Sequence, residues 1–159
     1  MNSQYVKRCH KRLKEWDAPM KDWFCIEVLD MESSNHQCEL CSCKKVRFIH
    51  VMDHDDFYIP IHVGCICAGI MEDDILAAKD RDRKMKNRAT RRRNFPYRKW
   101  KPSKMGGFHL MHKGKLIHIS EGFDVGCNGM SILQNKKFNN FLSAAYAAFD
   151  VVDPVKEVL

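Results

Sequence analysis

Between His36 and Gly69 the chain reads HQCELCSCKKVRFIHVMDHDDFYIPIHVGCICAG, five cysteines and four histidines in thirty-four residues. Side chains of these types at this density suit metal coordination. Cys38-x2-Cys41 sets two thiolates on one tight turn, the geometry of a zinc knuckle, with backbone N–H groups free to point at sulfur. Two more ligands must come from elsewhere. Cys65 and Cys67 are the candidate second pair, and a helix beginning there would favour the negative charge of a four-thiolate centre. Their C-x-C spacing is tighter than the usual C-x2-C. His62-x2-Cys65 is therefore the competing pair, and Cys43 competes for a place in the first. Four thiolates would fill tetrahedral coordination, which makes the expected cofactor a structural Zn2+, because a catalytic zinc keeps an open position. Cys9, Cys25 and Cys127 lie outside the cluster and read as ordinary free thiols.

The same stretch contains Asp53-His54 behind a CxxC, which resembles the HNH nucleases. That resemblance would make His54 a general base and Asp53 a ligand to a divalent ion. Its other elements are missing: no Asn lies between Asp53-His54 and Cys65, and no His or Asn follows Cys67 in Ala68 to Met71. Asp53 to Asp56 also reads as a plain hairpin tip, where acids are common because they cap turns. The reading adopted is therefore non-catalytic.

A second chemical feature lies downstream. Lys79 to Lys104 holds thirteen Lys or Arg against Asp80 and Asp82, a local +11 in a chain of net charge +7. Arg81, Arg83, Lys84, Lys86, Arg88, Arg91, Arg92, Arg93, Arg98, Lys99 and Lys101 are candidates to pair with phosphates. Trp100 is a candidate stacking surface, although an aromatic here also serves as a packing anchor. The expected partner is DNA or RNA, or a ribonucleoprotein, with binding that weakens steeply with salt. A regulator or inhibitor that docks the same surface on a host protein is the alternative.

Elements must position these groups. Residues 4–17 read as a short basic amphipathic helix ended by Asp17-Ala18-Pro19. Trp23 to Leu29 reads as a strand, and Val46 to Met52 and Phe57 to Val63 as a hairpin, with Pro60 fitting a sheet edge. From Ala68 a helical pattern runs to about Arg93, with Met71, Ile75, Ala78, Met85 and Ala89 on one face and a solvated second half. Gly106-Gly107 opens a further module: a hairpin around Lys113-Gly114, a third strand near Met130 to Gln134 beyond the turn VGCNG, and a helix capped by Asn139 or Asn140. Phe141, Leu142, Ala145, Tyr146 and Phe149 are its expected apolar face. The division expected is 1–30, an N-terminal helix and strand; 31–78, a treble-clef-like zinc module; 79–104, the basic helix and linker; and 105–159, a βββα module. The fold class is α+β. The N-terminus lacks a signal peptide's apolar core and no apolar run nears the roughly 20 residues of a membrane span, so a reducing, cytoplasmic setting without membrane contact is expected.

CELC, the strand VRFIHVM, HVGCICAGIMEDD and NRATRRR together resemble a family of small zinc-ribbon or treble-clef-like proteins of bacteria and phages. The resemblance implies Cys38, Cys41, Cys65 and Cys67 as metal ligands and implies no activity. The terminal βββα order with LSAAYAAFD is similar to the DNA-binding modules of plant ethylene-response factors, and more loosely to double-stranded RNA-binding domains. FHLMHKGKLIHIS lacks the sheet arginines with which the plant module reads bases.

Overall fold

The structure, a computed structural model, describes residues 3–159 and is mixed α+β, with two antiparallel sheets and four α-helices. It divides into two compact units, residues 1–87 with 155–159, and residues 88–154.

In the first unit, α1 (Ser3–Glu15) precedes a three-stranded meander of β1 (Phe24–Asp30), β2 (Phe48–Asp53) and β3 (Ile61–Val63). β2 is the central strand and is buried along nearly its whole length, which explains an apolar run without alternation. β3 is shorter than expected and starts just after Pro60. Proline cannot donate to the ladder, so pairing begins one residue later, at the sheet edge. α2 (Cys65–Met71) follows.

The helix expected to run unbroken from Ala68 to Arg93 is interrupted. α2 ends at Met71 and α3 (Ile75–Asn94) begins four residues later. Asp73 takes a left-handed φ of 56°, and the Asp74 carboxylate accepts the Ala77 N–H at 3.0 Å. Acids at these two positions end one helix and cap the next. Gly69 lets the corner close: a Cβ there would stand 2.8 Å from the Ile75 Cα. Residues 75–87 of α3 belong to the first unit, and a terminal turn, Val155–Val158, packs beside β1.

The second unit is a five-stranded meander, β4 (Lys101–Pro102), β5 (Phe108–His112), β6 (Lys115–Ile119), β7 (Val125–Cys127) and β8 (Met130–Ile132), with α4 (Phe141–Val152) against it. The three strands expected are thus five. The β5–β6 hairpin turns at Lys113-Gly114, both at positive φ, as a two-residue loop requires. Cys127 and Met130 pair across Asn128-Gly129, again both at positive φ, so VGCNG is a strand end followed by a turn. Asn140 caps α4 by accepting the Ser143 N–H at 2.8 Å. The buried face of α4 is Ala144, Ala145, Ala148, Phe149 and Val152, rotated from the expected one, and Leu142 is exposed. Three alanines let Phe149 and Phe95 reach the sheet residues Leu110, Ile117 and Ile119.

Candidate metal centre

Three elements of the first unit bring sulfur together. The sulfurs of Cys38, Cys41 and Cys67 lie within 4.8 Å of one another, a group that could hold a metal ion. Cys38 and Cys41 sit on the loop before β2. Ser42, at φ 64°, turns the chain back so that the Cys38 N–H reaches the Cys43 carbonyl at 2.8 Å. Backbone N–H groups of Cys41 and Gly64 point at the Cys38 sulfur. Cys67 enters from α2 and is fully buried.

Cys65 does not join this group. Helical residues two apart differ by about 200° in direction, so Cys65 and Cys67 cannot face one ion from the same helix. The Cys65 sulfur instead groups with His50 and Asp82. His62 is also turned away: on β3 the alternation buries Ile61 and Val63 and exposes His62. Cys43 is exposed.

A further sulfur borders this group, and local spacing could not find it. Cys9, on α1, is buried with its sulfur 3.8 Å from that of Cys67, and the Tyr5 hydroxyl lies 3.0 Å from the same atom. The Cys9 sulfur approaches Cys67 but does not lie within 4.8 Å of all three cluster sulfurs, so it stands at the edge of the three-cysteine group. Cys9 lies twenty-nine residues before Cys38, so spacing alone gives it the look of an ordinary free thiol. Its one local signal is helical: with Tyr5, Val6 and Leu13 it forms the apolar stripe of α1.

These thiols perturb one another. The hydrogen bond to Cys67, then burial, raises the Cys38 thiol above its ordinary range. At Cys67 the bond to Cys38 acts downward, but the bond to Cys9 and burial outweigh it, and the net shift is upward. Crowded buried sulfurs resist carrying several negative charges unless a cation shares the space.

The basic stretch is largely spent on the fold. Arg81 is buried and pairs with Glu72, and Arg83 and Lys84 pair with Asp80. Lys86 lies 2.8 Å from Asp82. Arg88, also buried, reaches Asp150 and the Asp153 carbonyl and covers the Phe149 ring. Arg91 grips Asp153 with both ends of its guanidinium, and Arg92 does the same to Asp150. Arg98 reaches His112 and the Met111 carbonyl. Arg93, Lys99 and Lys101 are exposed. The solvated second half expected of this helix is instead half-buried, because Asp150 of α4 and Asp153 just beyond it pair with its arginines. Ala78, Arg81, Met85 and Arg88 form one buried stripe at spacings of three and four, with arginines taking two apolar places.

Trp100 is a packing anchor, donating to the Phe95 carbonyl at 3.1 Å and meeting Phe95 and Phe141 edge-on. It also forms part of the wall of a cleft of about 770 Å³ within the second unit, lined by Arg98, Lys99, Phe108, Phe123 and Phe141 among others. Gly107, at φ 73°, lies against the Ile119 carbonyl with no room for a Cβ, and is among the residues that line this cleft.

No family, curated protein or solved structure matches this chain. Function is therefore argued from the residues.

Both ring nitrogens of His54 are engaged with backbone. Nδ1 accepts the Asp56 N–H at 2.9 Å, which leaves Nε2 as donor to the Lys21 carbonyl at 2.9 Å. Asp53 accepts the His54 N–H. The pair is built into the hairpin tip, and a general base at His54 would first have to give up its Nδ1 bond. Among the described residues no helix is long and apolar enough to cross a membrane.

Proposed function

We propose that this protein is a zinc-stabilised nucleic-acid-binding protein, without catalysis, whose contact surface is the basic and aromatic cleft of the second unit. The cleft carries the reading. Lys99 and Arg98 line it together with Phe108, Phe123 and Phe141, against the single acid Glu121, and Phe108 is 45% exposed. Cations that meet phosphates next to rings on which unpaired bases stack are the recurring chemistry of single-strand binding. The exposed Lys101 and Arg93 extend the positive charge of this stretch. The arginines of α3 that hold Asp150 and Asp153 contribute to the fold and carry little of the binding.

In this reading Cys9, Cys38, Cys41 and Cys67 hold Zn2+ as four thiolates, with Tyr5 donating to the Cys67 sulfur, and the ion is structural. The knuckle before β2, the β2–β3 hairpin and ligands on the following helix give a treble-clef-like order, with α1 supplying the ligand that Cys65 does not.

Labelled single-stranded DNA and RNA oligonucleotides titrated with the full chain test the proposal. Binding is expected to weaken steeply with salt. Lys99→Glu with Lys101→Glu is expected to abolish most of it, and Phe108→Ala to cost about 1–3 kcal/mol. Tight, salt-resistant capture of a single protein with no affinity for either oligonucleotide would overturn it.

A further inference from the structure

His50, Cys65 and Asp82 are the chemistry that the four-sulfur centre leaves unused. One ring nitrogen of His50, the Cys65 sulfur and a carboxylate oxygen of Asp82 all lie within 4.8 Å of one another, although the residues come from β2, α2 and α3. We propose that they form a second, separate site for a borderline-soft divalent cation such as Zn2+ or Co2+.

His50 is the observation that distinguishes this cluster from three polar neighbours. It occupies the middle of the buried central strand and is fully buried. Its Nε2 has no hydrogen-bond partner among the described residues. A buried polar atom left unpaired costs about 1–3 kcal/mol, so native structures rarely keep one without a use. The other nitrogen, Nδ1, has only a long contact of 3.5 Å from Arg81, whose guanidinium is already held at two points by Glu72. Coordination through the ring nitrogen that lies beside Cys65 and Asp82 uses the imidazole lone pair, which the long Arg81 contact engages only weakly.

The donor set selects the ion. One nitrogen, one sulfur and one oxygen suit zinc or cobalt, whereas magnesium and calcium require oxygen ligands. Thiolate and carboxylate together neutralise a divalent charge, and the Arg81–Glu72 pair beside them adds no net charge. The cation now nearest the carboxylate is the Lys86 ammonium, 2.8 Å from Asp82 on a side chain 64% exposed. Asp82 and Cys65 are only partly buried, which provides an entry path. On coordination the Cys65 thiol gives its proton to solvent as the metal–sulfur bond forms. Three protein ligands leave a fourth tetrahedral position for water or another exchangeable ligand, unlike a four-thiolate centre.

Cobalt titration of the reduced full chain, followed by absorption and by metal analysis after desalting, tests this. Two equivalents are expected, the second with the weaker charge-transfer band of a single thiolate. Cys65→Ser and Asp82→Asn should each weaken the second equivalent roughly tenfold or more and leave the first equivalent's spectrum unchanged. Both Cys65→Ser and Asp82→Asn are made at partly exposed positions and are checked for native circular dichroism. Should either disturb the fold, His50→Gln gives the same readout from the third ligand. Saturation of the wild type at one equivalent would overturn the proposal. So would a second equivalent that survives both Cys65→Ser and Asp82→Asn. Failure of the four-thiol reading would instead appear as loss of the first, thiolate-rich spectrum.

Discussion

The two units solve one problem with different chemistry. Each is too small for a hydrophobic core alone to hold it with much to spare, and each builds a buried polar hub. In the first unit the hub is sulfur: Cys9, Cys38 and Cys67 are buried and Cys41 partly so, and in the reading proposed above a bound metal ion supplies the charge that balances them. In the second unit the hub is Asp153, almost wholly buried, with Arg91 at 2.8 Å, Lys113 at 2.9 Å and His112 at 3.0 Å. Its partners all come from within the unit. The first unit should therefore depend on metal and reduction, and the second on pH.

Metal removal should separate them most sharply. A structural zinc is worth about 10–16 kcal/mol of apparent binding free energy near neutral pH, more than a unit of this size has in reserve. A strong chelator, or Cys9→Ser, should collapse amide-exchange protection across α1, the first sheet and α2. Protection of β5, β6 and α4 should persist. Equal loss in both units would erase the contrast.

The next effect belongs to the second hub. Asp153→Ala strands three cationic or polar partners and should cost about 3–5 kcal/mol in denaturant unfolding, the penalty for breaking a buried pair. Metal content should stay as in the wild type.

Acid provides a milder form of the same test. Burial alone would raise the Asp153 carboxyl, but the bonds from Arg91, His112 and Lys113 outweigh it and hold it well below the usual carboxylate range. A carboxyl depressed by folding adds stability that is fully present above its unfolded value, about 3.9, and is lost as pH falls through the folded one. Unfolding of β5–β6 and α4 should thus become easier only below about pH 4. Asp153→Asn should flatten that dependence.

The smallest effect is local. Asn140→Ala removes the side chain that caps α4 and should lower the second unit's stability by about 1 kcal/mol, measurable by urea unfolding.

Much of the fold was legible because its signals are short-range. Asn140, Lys113-Gly114 and the Cys38-x2-Cys41 turn each act within four residues, and each element formed where its residues indicated. Asn128-Gly129 is equally readable as a two-residue hairpin turn, which makes the start of VGCNG a strand of its own and not part of a glycine-rich turn. The break at Glu72 to Asp74 was written in its acids and masked by the apolar stripe on either side.

What the amino-acid order determined by itself was local geometry: turns, caps, an apolar central strand, and two sulfurs on one loop. What tertiary structure decided was partnership. It brought Cys9 to Cys67 across fifty-eight residues, turned Cys65 away from Cys67 by the pitch of α2, and set Cys65 beside His50 and Asp82. It also placed Asp150 and Asp153 on arginines some sixty residues earlier, converting a stretch of apparent free charge into structure. The physical reason is the same throughout. Spacing along a chain fixes which side chains share a turn or a helix face, whereas charge balance and coordination depend on groups that meet only when sheets and helices pack.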